Sequence, residues 1–268
     1  MWQKNCYRIV VKVGTSTLTH DSGAANLHSI ERLVRVLADL EGYGHEVILV
    51  SSGAIAIGKS KLNLQKRPTE LRMKQATAAV GQCRLMHLYD QFFGEYNRGV
   101  AQILLTDEDV ADPVRREHLS GTFAALLELG VIPIVNENDS VSSAEIETGA
   151  QKVLGDNDTL SAIVAKLCNA DILILLSDID GLYDADPHTD PDAKMIHTVN
   201  DIAKVEGLAG GVGTWRGTGG MITKIQAAKI ATQAGCDMVI SNGSKPDLIY
   251  DIVAGKEVGT RFLAQKDV

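Results

Sequence analysis

The stretch Ile9-Val-Val-Lys-Val-Gly-Thr-Ser16 decides how the rest of the chain is read. Its apolar, β-branched start predicts a strand buried on both faces, as in a parallel sheet covered on each side by helices. Its end changes character. Lys12 stands near the carboxyl end of the strand, and Gly14, Thr15 and Ser16 follow. Open α/β sheets bind ligands outside the carboxyl ends of their strands, where a cation and approachable backbone amides favour an anion. Alone, the segment reads equally well as a solvated lysine beside an ordinary turn.

Similar apolar runs recur at Val47–Val50, Ile103–Leu105, Val131–Val135, Ile172–Leu176 and Met238–Ile240. Between them, helices are predicted over Leu27–Glu41, Glu70–Tyr96, Arg116–Leu129, Asp158–Leu167, Met221–Ala234 and Pro246–Ala254, several with apolar spacings of three and four. Ile30, Leu33, Val34, Leu37 and Leu40 form one such stripe. This alternation predicts an α/β fold, a three-layer sandwich with a mainly parallel central sheet covered by helices on both faces. Edge strands can escape such a reading. Neither a repeat nor a linker interrupts the pattern, so residues 1–268 are read as a single domain. Val141–Leu154 and Tyr183–Gly220 lack the pattern, and the latter gathers seven glycines between Gly207 and Gly220. Long irregular loops in a compact domain are usually functional.

Composition narrows the function. Hydrophobic residues make up 45% and charged residues 22% of 268, which describes an ordinary globule rather than a disordered chain. A net charge of -8 opposes non-specific attraction to nucleic acid or anionic lipid, so neither is an expected partner and any phosphate site must be built locally. Cys6, Cys83, Cys168 and Cys236 lack metal-like spacing and read as reduced core thiols, which predicts a cytoplasmic location. No leader-like N-terminal segment and no membrane-length apolar run is read, so neither secretion nor spanning is expected.

Several motifs could carry chemistry. Gly53-Ala-Ile-Ala-Ile-Gly-Lys-Ser60 matches a phosphate-binding P-loop letter for letter after a strand, and Leu173-Ile-Leu-Leu-Ser-Asp178 resembles its Walker B companion. Against this, the apolar spacer Ala54–Ile57 suits a helical turn, a strand and helix precede it, and the other lysine and glycine motifs go unexplained. Asn136-Glu-Asn-Asp139 follows a strand and Gly155-Asp-Asn-Asp158 opens a helix. The latter alone reads first as a helix cap, but two acidic clusters suit a small molecule bearing an ammonium group. Gly217-Thr-Gly-Gly-Met-Ile-Thr-Lys224 leads into a helix, where amides and Lys224 can meet an anion. No calcium-loop pattern or zinc spacing is present, and no metal ligand is assigned.

Together, Val11-Lys-Val-Gly-Thr-Ser16, Ser51-Ser-Gly-Ala-Ile55, Asn136–Asp139, Gly155–Asp158, Ser177-Asp-Ile-Asp-Gly-Leu-Tyr183 and Gly217–Lys224 resemble the amino acid kinase superfamily, in its order, from residue 8 to about residue 262. Within it the chain is most similar to the branch that phosphorylates the γ-carboxylate of L-glutamate with ATP, the first step toward proline. The resemblance implies that Lys12 and Lys224 neutralise the transferring phosphoryl group and that Asp158 holds them. It places glutamate on Ser52, Asp139 and Asn157. It places ATP on Lys12, Ser177, Asp178 and the run Thr218, Gly219, Gly220, Met221, Ile222, Thr223 and Lys224, with Mg2+ held largely by phosphates and water. Lys59 is then a surface lysine and the P-loop match a coincidence. The resemblance further implies proline as a feedback inhibitor, a homo-oligomer, and a short form without the C-terminal RNA-binding-like module of longer members. Glu147–Leu154 is longer than the family pattern. The rival readings are a sister kinase acting on acetylglutamate, aspartate, carbamate or UMP, a P-loop enzyme using Lys59 and Asp178, and a non-catalytic sensor. The joint presence of Lys12, Asp158 and Lys224 argues against the sensor.

Overall fold

In the computed structural model, which describes residues 6–141, 156–185, 190, 192–209 and 220–265, strand β1 (Arg8–Val13) lies between two parallel neighbours. These are β2 (Glu46–Ser51) on one side and β5 (Ile172–Ser177) on the other. The full sheet has eight strands in the order β3-β4-β2-β1-β5-β9-β10-β8. Here β3 is Gly99–Leu105, β4 Val131–Glu137, β8 Thr198–Val199, β9 Asp237–Asn242 and β10 Thr260–Phe262. Within this sheet, among the described residues, only the β9–β10 pairing is antiparallel, and a separate antiparallel ribbon joins β6 (Leu182–Tyr183) to β7 (Met195–Ile196). From β1 the chain builds outward through β2, β3 and β4, then returns to lay β5 and β9 on the opposite side. That reversal leaves a crevice at the carboxyl ends of β1 and β5, where ligands of such sheets settle.

The pleat of β1 sorts its residues between two cores. Ile9, Val11 and Val13 pack with Leu33 of α2 (Leu27–Gly42), Leu85 and Phe93 of α4 (Leu71–Glu95), and Ile249 of α10 (Leu248–Val253). Val10 packs on the other face with Phe123 of α6 (Pro113–Glu128), Leu160 of α7 (Asn157–Leu167) and Ile225 of α9 (Gly220–Gln233). Because side chains alternate along a strand, Lys12 falls on the Val10 face, toward α7 and α9. Shorter helices α1 (Thr15–Leu18), α5 (Asp107–Ala111) and α8 (Ala203–Ala209) complete the described elements with α3 (Ala54–Lys61).

All six predicted strands and six predicted helices are present. Strands β6, β7, β8 and β10 are two or three residues long, too short to register as a hydrophobic period, so part of Tyr183–Gly220 is more ordered than expected. Helix α6 begins at Pro113 rather than Arg116, because the Asp112 carboxylate accepts from the Arg115 amide at 2.9 Å and proline suits a first helical position. From residue 142 onward, Val141–Leu154 lies outside the described residues. Cys168 and Cys236 are core thiols, but Cys6 and Cys83 are exposed, Cys6 ahead of β1 and Cys83 on the outer face of α4.

The P-loop reading fails on backbone grounds. Gly53, at φ 99°, turns the chain out of β2, and helix α3 starts at once, the Ile57 amide donating to the Gly53 carbonyl at 3.0 Å. A phosphate cradle needs open amides along the loop, and here those from Ile57 onward are taken up by a helix. Gly58 serves a different purpose. A Cβ there would stand 1.9 Å from the Thr77 carbonyl oxygen of α4, and one at Gly81 would stand 1.7 Å from that of Ala54. The two helices therefore cross backbone to backbone.

Gly58→Ala and Gly81→Ala should each lower stability by about 1–3 kcal/mol or more, since the obstructing atoms are main chain. Gly121 of α6 has open space around its Cβ position, so Gly121→Ala should be neutral or stabilising by up to about 1 kcal/mol. Urea denaturation of the three variants checks the contrast.

Candidate active site

Three elements deliver one charge cluster. The pleat of β1 supplies Lys12, the first turn of α7 supplies Asp158, and the first turn of α9 supplies Lys224. Lys12 Nζ stands 2.6 Å from Asp158 Oδ1, and Lys224 Nζ stands 3.0 Å from Asp158 Oδ2. Thr223 Oγ1 donates to the same Oδ2 at 3.1 Å, and Lys224 also donates to the Gly220 carbonyl at 3.1 Å. The Asp158 side chain is only 6% exposed. Burial alone pushes its carboxyl up, but the ammonium groups of Lys12 and Lys224 outweigh burial and hold it below its ordinary 3.8. Capping of α7 falls instead to Asp156, whose carboxylate accepts from the Thr159 amide at 2.8 Å, so Asp158 is free for the lysines.

A second, uncharged network begins one residue earlier. Asn157 Nδ2 donates to Ser52 Oγ at 2.6 Å and to Asn136 Oδ1 at 3.2 Å, while Asn136 Nδ2 donates to Gln82 Oε1 at 3.0 Å. These residues tie the ends of β2 and β4 to α7 and α4. Gln82 is buried, and its Nε2 has no hydrogen-bond partner among the described residues.

Two clefts flank the cluster. The larger, about 590 Å³, is lined by Thr15, Ser16, Asn136, Asp139 and Asn157, with Ile55, Ala56 and Lys59 of α3 on its outer wall. The smaller, about 160 Å³, is lined by Lys12, Gly14, Ser16, Ser177, Asp178, Gly220, Met221 and Lys224. Ser16 borders both, so the clefts adjoin beside the lysines. Ser177 Oγ donates to Asp178 Oδ1 at 3.0 Å in the smaller one.

The structure thus gathers Lys12, Ser177, Asp178, Gly220, Met221 and Lys224 around one cleft and brings Asp139 and Asn157 to the other, with Ser52 bonded to Asn157. Thr223 reaches Asp158 instead of lining a cleft, and Ile222 is exposed and lines neither. Thr218 and Gly219 lie outside the described residues. Lys59, expected on the open surface, stands on the larger cleft. Sequence reasoning missed the bond between Asn136 and Gln82. The available signal was a glutamine set between Ala78 and Leu85, three and four positions away on the buried face of α4. Among the described residues no cluster of three or more His, Cys, Asp or Glu side chains is arranged to chelate a metal ion. None of the described helices is long and apolar enough to cross a membrane.

Residues 7–242 match the profile of the Amino acid kinase family. A protein of Clostridium perfringens named "Glutamate 5-kinase" is 54% identical over 266 residues, covering 98% of this chain and 97% of that one. One of the same name from Listeria innocua is 53% identical, covering 98% and 95%. Among solved structures, carbamate kinase from Giardia lamblia bound to AMP-PNP superposes with a TM-score of 0.66 at 18% identity, covering 99% of this chain and 100% of that one. That likeness speaks for the fold.

The lowered pKa of Asp158 fixes a pH signature. Its contribution to stability is fully present above the unfolded value near 3.8, declines as pH falls below it, and is gone once the folded carboxyl protonates. The stability gap between the parent and Asp158→Asn should stay constant from neutrality to about pH 5 and close only in stronger acid. Chemical denaturation at stepped pH reads the gap.

Proposed function

We propose how this chain works from one premise: it belongs to the amino acid kinase family and, within it, to the glutamate 5-kinases. Its reaction is the ATP-dependent phosphorylation of the γ-carboxylate of L-glutamate, giving L-glutamyl 5-phosphate and ADP, the entry into proline synthesis. One observation carries the assignment of parts: two ammonium groups share a buried carboxylate where two clefts meet.

Glutamate occupies the larger cleft. Asp139 pairs with its α-ammonium, and the Ser52–Asn157 pair positions the acceptor end beside Lys12. The phosphate end of ATP occupies the smaller cleft, among Lys12, Ser177, Asp178 and the first turn of α9, with Thr218 and Gly219 continuing that site. A γ-carboxylate oxygen attacks the γ-phosphorus, the new O–P bond forms, the β,γ-bridging bond breaks and ADP departs. A free carboxylate has a pKa of about 4.3, so no general base is needed. The remaining task is to stabilise charge spread over the equatorial oxygens, and preorganised cations do this. Lys12 and Lys224 are those cations, and Asp158 is a positioning residue that holds both.

Asp178 and the phosphate oxygens suit Mg2+ arriving with the nucleotide, which would neutralise phosphate charge. Both substrates are held against one sheet, which supports a single catalytic unit over residues 1–268. Proline as inhibitor, self-association and a cytoplasmic setting remain part of the proposal.

Lys12→Ala and Lys224→Ala should each lower kcat by on the order of a hundredfold or more. Trapping the acyl phosphate with hydroxylamine gives the rate directly, and near-normal turnover by a folded Lys224→Ala protein would overturn the assignment. Asp139→Ala should raise the glutamate KM strongly while moving the ATP KM little, because an unpaired buried ammonium is costly. For the same reason N-acetylglutamate should be a poor acceptor of the parent enzyme. Steady-state kinetics with each substrate varied in turn decides both.

A further inference from the structure

Lys59 has no part in the phosphoryl-transfer cluster, yet it borders the acceptor cleft. Residues three and four apart share a helix face, and Ile55, Ala56 and Lys59 line that cleft together. The opposite face of α3, with Ile57 and Gly58, is buried, and the backbone contact with α4 leaves the helix no room to roll. The Lys59 side chain is therefore held to the cleft by the fold. It is half-buried and makes no ion pair among the described residues.

Glutamate brings three charges into this space. The γ-carboxylate belongs with Lys12 and Lys224, and the α-ammonium with Asp139. The α-carboxylate still needs a counter-charge, because an anion removed from water without a partner is strongly disfavoured. Among the described residues, two cationic side chains besides histidine line the cleft, Lys59 and Arg67. Arg67 is exposed on the segment between α3 and α4, where solvent screens its charge, whereas Lys59 projects from an anchored helix. We propose that Lys59 binds the α-carboxylate of the acceptor and makes the cleft selective for an α-amino dicarboxylate over its α-amide. This rests on the glutamate-cleft reading above and extends it to a residue that reading leaves unassigned.

The test compares L-glutamate with its α-carboxamide, isoglutamine, which keeps the γ-carboxylate and the ammonium group. Isoglutamine is assayed as acceptor or, failing turnover, as competitive inhibitor. In Lys59→Ala, the glutamate KM should rise about tenfold or more, the scale of one lost charge-assisted contact, with kcat within about fivefold of the parent. The constant for isoglutamine should stay unchanged, so the preference for glutamate collapses, and Lys59→Arg should restore most of it. Lys59→Met, which keeps the aliphatic stem and a good helix former, gives the same reading if the alanine variant does not fold. An unchanged glutamate KM, equal rises for both ligands, or a loss of kcat at constant KM would each overturn the proposal. So would the effect appearing in Arg67→Ala instead. A parent enzyme that forms no hydroxamate from glutamate would refute the glutamate-cleft reading itself, an outcome separate from all of these.

Discussion

A carboxylate clamped between two ammonium groups, nearly out of water, is the constraint around which the rest of the molecule is arranged. Two lysines at such separations would repel strongly in a medium of low effective dielectric, and Asp158 makes their approach tolerable. The clamp demands that β1, α7 and α9 meet at one point, which fixes the sheet order around β1 and β5 and the depth at which both helices start. Two positive charges against one negative leave an excess of one. That excess is what a transferring phosphoryl group can use, and its direction is set before any substrate arrives.

Asn157 and Asp158 are neighbours in the chain but serve different partners. Asn157 joins the neutral network of Ser52, Asn136 and Gln82, and Asp158 joins the lysines. A single helix start therefore aligns the acceptor side with the charge cluster. With Asp156 taking the cap, the three consecutive residues divide three tasks among them.

Much of this was legible from the residues. Val10 and Lys12 predict a buried strand with a cation at its end, and the hydrophobic stripe of α2 predicts its inner face. The charge cluster was legible only through the resemblance, because Lys12, Asp158 and Lys224 are far apart in sequence and no periodicity brings them together. Gln82 was not read because a polar residue in an apolar stripe looks like a boundary position until its partner, Asn136, is placed opposite. Gly58 was misleading in another way. The letters of a phosphate motif and of a close helix crossing coincide, and only the backbone environment separates them. Exposure of Cys6 and Cys83 likewise depends on which side of an element faces outward, which composition does not encode.

The crossing of α3 and α4 has a bearing on how this scaffold can diversify. Two main chains in direct contact, with no side chains between them to repack, cannot slide or separate by small increments. The α3 wall of the acceptor cleft is thus a fixed reference surface, on which only side-chain identity can vary. Changes in the breadth of the cleft fall instead to its other walls, the segment from Thr15 to Gly23 and the carboxyl end of β4, where Glu137 and Asp139 sit. Drift toward larger or smaller acceptors is channelled to these walls, and a mutational library aimed there samples more usable shapes than one aimed at the helix pair.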